Sequence, residues 1–139
     1  MPKSERVLYV DTSAVLRAVL ESGASPEVEQ ALREARVLVT SRLSLVESQR
    51  AVFRLRREGS ISELRLADAE REIGSFWSRC DIFELSPGVC ELAGQVAPTL
   101  PSRTLDALHV ATFVLARRRM PSLALLTADE RLRAAAGAL

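Results

Sequence analysis

The expected fold follows from the stretch Val7-Leu8-Tyr9-Val10-Asp11-Thr12-Ser13. Its first four residues are β-branched, aliphatic or aromatic, which is typical of a strand buried inside a sheet. The next three carry side-chain oxygens of the kind that begin a helix. The stretch therefore predicts a buried strand over residues 6–10, followed at once by a helix over residues 14–20.

The same alternation continues along the chain. We predict three more strands, over 37–39, 81–85 and 122–126. We also predict six more helices, over 27–35, 41–57, 62–79 and 87–96, from Thr104 as the capping residue, and over 129–136. Strands without a polar face that alternate with helices favour a parallel sheet covered on both sides. The predicted fold class is α/β, with a three-layer α/β/α arrangement around a parallel sheet of four to five short strands.

Length and composition fit a soluble, single-domain protein. The chain has 139 residues, of which 47% are hydrophobic and 27% are charged, enough for one continuous core. It has no apolar run long enough to span a membrane and no signal-peptide pattern, so the expected location is cytoplasmic. Two separated cysteines and one histidine do not suggest a zinc site. We expect a single domain over residues 1–139.

Four acidic residues mark the candidate site, because each lies where an apolar run passes into a helix: Asp11, Glu47, Asp106 and Asp129. An uncompensated charge is costly to bury in such surroundings, and a hard divalent cation is the partner that suits several carboxylates. Ligands of open parallel sheets bind beyond the carboxyl ends of the strands. We therefore expect the four carboxylates to converge at that edge and to bind Mg2+ or Mn2+.

Helix capping is the competing explanation for each acid taken alone. Asp11 could be an N-cap, and Asp106 could be an acid that favours the first turn of its helix. Ser44-x-x-Glu47 and Thr127-x-x-Glu130 both match a capping box. Capping does not, however, require the four acids to meet. His109, one turn after Asp106, is expected to hydrogen-bond within the helix packing.

Several enzyme classes have no support in the sequence. The glycine-rich loops that bind nucleotides are missing, and so is a Ser/His/Asp set. A receiver-type phosphoacceptor needs a lysine late in the chain, whereas Lys3 is the only lysine. A haloacid-dehalogenase-like phosphatase would carry an acid at position 13, where this sequence has Ser13.

Nearly all the basic residues are arginines, which suit a surface that binds phosphate. A GC-rich genome would give the same bias, and that explanation stays open. Because the net charge is only +1, a basic surface must be a local patch. Local clusters suggest RNA contacts at three positions in particular: Arg50, Arg117 and Arg118.

Taken together, these motifs resemble the PIN-domain family, and more narrowly the VapC ribonuclease toxins of type II toxin–antitoxin systems. The similarity rests on Val10-Asp11-Thr12-Ser13-Ala14-Val15-Leu16, on Glu47, on Leu105-Asp106-Ala107-Leu108-His109-Val110-Ala111, and on Leu126-Thr127-Ala128-Asp129-Glu130-Arg131-Leu132. It covers nearly the whole chain in the order of the family. Family members commonly continue into a fifth strand where this sequence reads Ala136-Gly137-Ala138-Leu139.

The resemblance implies a function and a set of site residues. Asp11, Glu47, Asp106 and Asp129 would be the catalytic metal ligands, with Ser13 and Thr127 as supporting hydroxyls. The expected activity is Mg2+-dependent cleavage of tRNA or another structured RNA by a metal-activated water. The expected partners are a second copy of the chain and a VapB-type antitoxin. The alternative is a non-catalytic PIN-fold module that binds RNA or an antitoxin.

An apolar surplus in the helix over 62–79 would suit such a partner. This segment carries five large apolar side chains, more than one core face needs: Leu64, Leu66, Ile73, Phe76 and Trp77. We expect part of this set to form an exposed groove, and burial of all five side chains within the monomer is the alternative.

Overall fold

The computed structural model of the protein describes residues 5–98 and 103–137. The described strands are β1 Val7–Val10, β2 Val37–Ser41, β3 Cys80–Phe83 and β4 Ala124–Leu126. The described helices are α1 Thr12–Leu20, α2 Pro26–Glu34, α3 Arg42–Glu58, α4 Glu63–Arg79, α5 Pro87–Ala93, α6 Thr104–Arg119 and α7 Glu130–Gly137. The predicted elements are therefore all present, with ends displaced by a few residues at most.

The four strands form one parallel sheet in the order β3-β2-β1-β4. β1 is a central strand, and its Leu8 pairs with Leu38 of β2 and Ala124 of β4. Because all the strands run in the same direction, their carboxyl ends lie at one edge of the sheet. We call it the carboxyl edge. A fifth strand would involve Ala138 and Leu139, which lie outside the described residues.

Alternate residues of β1 face two different layers of helices. Leu8 and Val10 pack in a core with residues of α1 to α4, whereas Val7 and Tyr9 pack against Phe113 of α6. The larger core includes Ala14, Val15, Val19, Leu32, Leu38, Val52, Leu66, Ala69, Ile73 and Trp77. The predicted three-layer α/β/α fold is thus confirmed.

Helices α3 and α4 form a hairpin. α3 ends at Gly59, whose φ of 71° is the left-handed conformation that glycine adopts without strain. The Ser62 hydroxyl then caps α4 by accepting a bond from the backbone N–H of Arg65. The two helices are joined by buried apolar residues and by the Trp77 indole, which donates to the Ser48 hydroxyl at 2.9 Å.

The expectation of an exposed apolar groove on α4 holds only in part: a cleft of about 410 Å3 between α3 and α4 is lined by Ile73 and Trp77, but most of the side chains that prompted the expectation are buried. Leu66, Ile73 and Trp77 are only 1%, 5% and 6% exposed, because α4 packs against both α1 and α3. Leu64 is the member of the set that faces solvent, with 76% of its surface exposed. The wide apolar face of α4 is therefore used within the chain.

Another correction concerns the start of α6. Its N-cap is Arg103, whose side chain makes no capping bond, and Thr104 is already the first helical residue. Within the described ranges, no helix is both long and apolar enough to cross a membrane.

Candidate active site

Asp11 follows β1 directly and lies buried at the carboxyl edge, 4% exposed. It is the N-cap of α1, and its Oδ1 accepts a bond from the backbone N–H of Ala14 at 3.3 Å. The Ser13 hydroxyl donates to the same carboxylate, 2.8 Å from Oδ2. Burial raises the pKa of Asp11, and the bond from Ser13 only partly opposes that effect. The sequence therefore places a buried carboxyl group, whose charged form is disfavoured, at the end of the central strand.

Burial of the carboxyl group is the largest cause of the raised pKa of Asp11, and no neighbouring acid is among its main causes. Desolvation therefore dominates at Asp11.

The loop after β4 is joined to the start of α1 through hydroxyl groups. The oxygens of Ser13 and Thr127 are 3.1 Å apart, and the backbone N–H of Ala128 donates to Ser13 at 3.0 Å. The Thr127 hydroxyl also accepts a bond from the N–H of Asp129 at 2.9 Å. Ser13 and Thr127 thus hold together the segments that carry Asp11 and Asp129, and their supporting role in catalysis stays a prediction.

Asp129 is the N-cap of α7. Its Oδ1 accepts bonds from the backbone N–H groups of Arg131, at 2.9 Å, and Leu132, at 3.4 Å. The predicted box between Thr127 and Glu130 does not form. Glu130 instead pairs with Arg133, a residue that also donates to the Thr127 carbonyl at 2.6 Å.

Glu47 lies in the second turn of α3, too far along the helix to be a capping residue. The N-cap is Ser41, which accepts a bond from the N–H of Leu43, so the predicted capping box of Ser44 and Glu47 is wrong. Glu47 Oε1 instead accepts from the Thr12 hydroxyl at 2.9 Å and lies 2.6 Å from Nε2 of His109. These bonds orient the Glu47 carboxylate toward the start of α1.

His109 links Glu47 to the buried side of the sheet. The imidazole is 3% exposed, and its Nδ1 lies 2.8 Å from the hydroxyl of Tyr9. Since a carboxylate can only accept, Nε2–H donates to Glu47, and in the neutral ring Nδ1 then accepts from Tyr9. Burial raises the pKa of Tyr9 well above its usual value, so the phenol keeps the proton that it donates.

Sequence reasoning missed this role of His109. We expected a hydrogen bond within the helix packing, whereas both ring nitrogens bind residues of other elements. The available signal was its position one turn after Asp106, which puts both side chains on the same side of α6.

Asp106 lies in the first turn of α6 and is partly buried. Its Oδ2 is the one buried side-chain polar atom without a hydrogen-bond partner in the described part of the chain. Leaving a buried acceptor unsatisfied typically costs about 1–3 kcal/mol. An atom of this kind, on a carboxylate one turn before His109 on α6, is suited to accept a cation or a substrate group.

The expectation that Asp11, Glu47 and Asp106 lie close enough to share one metal ion is not met by the described side chains. Across residues 5–98 and 103–137, no three acidic, histidine or cysteine side chains are grouped closely enough to hold a metal together. This arrangement departs from the expected cluster. The donor set still fits Mg2+, which commonly uses one or two carboxylates, several waters and substrate phosphates.

The three arginines predicted to contact RNA lie in two places. Arg50 is one turn beyond Glu47 on α3, near the carboxyl edge. Arg117 and Arg118 are in the last turn of α6, about 17 Å along the helix axis from Asp106. A role in RNA binding stays a prediction for all three, but only Arg50 lies close to the acidic residues.

A cleft along α1 reaches one of the four candidate acids, Asp129. It has a volume of about 640 Å3 and is bordered by Ser13 and Asp129. Leu16 and Leu20 of α1 and Leu55 of α3 form much of the rest of its wall. The carboxyl edge therefore opens to solvent on the side of α1.

A comparison with protein families identifies the fold and its class. The model of the PIN domain matches residues 8–138, nearly the whole chain, and the chain therefore belongs to the PIN-domain family. Within that family it is a ribonuclease of the VapC type. The ribonuclease VapC35 of Mycobacterium tuberculosis is 32% identical over 136 residues, which cover 96% of this chain and 92% of that protein. VapC49 of the same species is 29% identical over 106 residues, covering 76% of this chain and 74% of VapC49.

Two solved structures share the fold. PAE2754 from Pyrobaculum aerophilum has a TM-score of 0.64 and 20% identity, covering 95% of this chain and 80% of that one. VapBC2 from Rickettsia felis, solved bound to a DNA fragment from its promoter, has a TM-score of 0.58 and 17% identity. That match covers 88% of this chain and 99% of the other. At these identities the similarity describes the fold.

Proposed function

We propose that this protein is a single-domain, Mg2+-dependent endoribonuclease toxin of a type II toxin–antitoxin module. Mn2+ is the expected substitute for Mg2+, and tRNA or another structured RNA is the expected substrate. The observation that carries the proposal is Asp106 Oδ2, a buried carboxylate oxygen without a hydrogen-bond partner in the described part of the chain. The VapC-type relatives support the same chemistry.

The proposed roles follow from how each carboxylate is held. Asp11 and Asp106 are the principal ligands, since one is a buried charge and the other carries the oxygen without a partner. Glu47 is a further ligand or orients the attacking water, because Thr12 and His109 fix one of its oxygens. Asp129 is an outer ligand, because it is less buried than Asp11 and its Oδ1 caps α7.

The reaction is an in-line attack of water on an RNA phosphodiester. When bound, Mg2+ lowers the pKa of a coordinated water and neutralises the charge that develops on the phosphate. The residues of the chain hold the carboxylates in place, and the hydroxyls of Ser13 and Thr127 fix the two segments that carry them. The proposed products carry a 5′-phosphate and a 3′-hydroxyl.

The proposed partners are a VapB-type antitoxin and a second copy of the chain. The solved VapBC2 complex from Rickettsia felis, which shares this fold, supports the antitoxin. Light scattering of the purified protein tests the homodimer. A monomer at high concentration would remove that part of the proposal.

The decisive experiment is incubation of antitoxin-free protein with total RNA in Mg2+ or in EDTA. We expect cleavage in Mg2+ and none in EDTA, with Asp11→Asn inactive in both. Glu72→Gln is the matched control, because Glu72 is an exposed acid on α4, away from the cleft that Ser13 and Asp129 border, and should not affect cleavage. Cleavage that persists in EDTA would refute the proposed chemistry.

A non-catalytic binding module is the second candidate. It is favoured by one observation: the described part of the chain brings no three metal-binding side chains together. Such a module would retain RNA or an antitoxin without cutting. Stable RNA binding with intact RNA in both Mg2+ and Mn2+ would support this candidate over the nuclease.

A further inference from the structure

The solvent-facing side of α3 carries an unusual row of exposed residues. Spacings of three and four residues place them on one side of the helix. We call this row the α3 stripe: Val46, Arg50, Phe53, Arg54 and Arg57. Val46 and Phe53 are 51% and 45% exposed, although side chains of these types are usually buried.

The arginines of α3 are used in two different ways. Arg56 forms ion pairs with both Glu63 and Glu70 and so ties α3 to α4. Arg50, Arg54 and Arg57 form no ion pair with any residue in 5–98 or 103–137, and Glu58 makes none with them either. The α3 stripe therefore presents positive charge that the described part of the chain does not neutralise.

Phe53 is already arranged for stacking. The guanidinium carbon of Arg50 lies 4.9 Å from the centre of the Phe53 ring, a cation–π distance. Arg50 and Phe53 lie about 4.5 Å and 9 Å beyond Glu47 along the helix axis. The α3 stripe thus comes within one turn of Glu47 at Arg50. It combines an exposed aromatic ring with three arginines that form no ion pair within the described residues.

We propose that the α3 stripe binds a single-stranded segment of the substrate RNA where it leaves the carboxyl edge. A base stacks on Phe53, and Arg54 and Arg57 contact backbone phosphates, which is how proteins bind single strands without reading their sequence. This assignment rests on the proposed function, because it takes RNA to be the substrate.

A second copy of the chain is the other conceivable occupant of the α3 stripe. In a two-fold dimer, the same patch of both copies meets at the interface. The unpaired Arg50, Arg54 and Arg57 of one copy would then face those of the other, and juxtaposed like charges cost several kcal/mol. Charge complementarity therefore favours RNA over self-association.

The test measures binding separately from cleavage. The probe is a labelled, unstructured oligoribonucleotide of about 16 nucleotides, and its fluorescence anisotropy is followed in EDTA over a series of salt concentrations. Phe53→Ala should weaken binding roughly 5- to 100-fold. Arg54→Ala and Arg57→Ala should each reduce the slope of log K against log salt by about 0.7.

Two control variants separate stacking from other effects. Phe53→Leu keeps an apolar side chain but lacks the ring, so it should weaken binding about as much as Phe53→Ala. Arg33→Ala removes one exposed arginine from the last turn of α2, at the opposite edge of the sheet, and should leave the salt slope unchanged. Circular dichroism melting and light scattering of each variant report its folding and its oligomeric state.

Each outcome decides the proposal. Wild-type affinity in Phe53→Ala or in Phe53→Leu would overturn the stack, and unchanged salt slopes in both arginine variants would overturn the phosphate contacts.

A dimer lost in Phe53→Ala and restored in Phe53→Leu would assign the α3 stripe to self-association. Binding that depends on the α3 stripe, with no cleavage in Mg2+, would refute the proposed nuclease but not this surface. Cleavage in Mg2+ that is unchanged in Phe53→Ala, Arg54→Ala and Arg57→Ala would support the proposed nuclease but refute the role of the α3 stripe.

Discussion

Two of the acids at the carboxyl edge cap helices, and two do not. Asp11 and Asp129 accept bonds from backbone N–H groups at the starts of α1 and α7. Glu47 is bonded to the side chains of Thr12 and His109, while one oxygen of Asp106 has no described partner. Capping therefore accounts for the first pair but not for the second, although Asp106 does lie in the first turn of α6, where the helix dipole favours an acid.

The comparison shows which acids carry independent evidence of function. A capping acid stabilises its helix whether or not it acts in catalysis, so its presence alone is weak evidence. An acid whose oxygen is buried without a partner lowers stability, and such a cost is expected where a ligand supplies the missing interaction. The uncapped pair is therefore the place to test the proposed site first.

The largest expected effect comes from Asp106→Asn, the change that removes the charge of an uncapped acid. It should lower the rate of RNA cleavage at least about 100-fold, since each 1.36 kcal/mol of lost transition-state stabilisation is tenfold. Asp129→Asn retains a good capping residue and should cost less than about tenfold. Initial rates at saturating Mg2+ measure both. Equal losses would place Asp129 with the uncapped pair.

The next effect concerns the group that holds Glu47. His109→Ala leaves the Tyr9 hydroxyl without its partner and should lower the free energy of unfolding by about 2 kcal/mol or more. Tyr9→Phe removes only the donor to Nδ1 and should cost about 1–2 kcal/mol. Urea unfolding in EDTA measures both variants. A Tyr9→Phe protein as stable as wild type would show that the phenol does not help to hold His109.

Asp11 should make the free energy of unfolding depend on pH. Its pKa is raised in the folded protein, so the unfolded chain releases this proton first as pH rises from about 3.9. Stability is therefore lost through the window up to the raised folded pKa, by about 1.4 kcal/mol per unit of elevation. Asp11→Asn keeps the cap but lacks the proton, so its advantage over wild type in EDTA should grow with pH. A constant difference between the two proteins from pH 4 to pH 8 would contradict burial as the cause.

The smallest effect separates capping from charge. Asp129→Ala should lower the free energy of unfolding by about 1 kcal/mol, whereas Asp129→Asn should leave it nearly unchanged. Asp106→Ala removes no cap and should not destabilise the start of α6. Thermal unfolding in EDTA is the measurement. A loss in Asp106→Ala as large as that in Asp129→Ala would erase the distinction between the two kinds of acid.

Local features of this fold could be predicted from the sequence. The buried strand β1 and the cap at Asp11 depend on adjacent residues, and both are present as expected. The layer arrangement also followed from apolar strands that alternate with helices. The cap of α3 was harder, since Ser41 and Ser44 both offer a capping hydroxyl and only the length of β2 decides between them.

Features that depend on distant contacts could not be predicted. The hydrogen bond between Tyr9 and His109 joins residues 100 positions apart, and no local sequence pattern predicts it. The wide apolar face of α4 was taken for a partner surface because the sequence does not show that α4 packs against two helices at once. The spacing between the carboxylates depends in the same way on how whole elements pack.

The position of β4 beside β1 has a consequence for protein synthesis. β1 is made early, but its neighbour β4 and the Ser13–Thr127 contact come from residues more than a hundred positions later. At about 5–20 residues per second, a ribosome spends several seconds or longer on the intervening chain. During that time Asp11, which follows β1, and Glu47 of α3 exist without the segment that carries Thr127 and Asp129. We therefore expect the candidate site to be complete only after the last part of the domain has emerged.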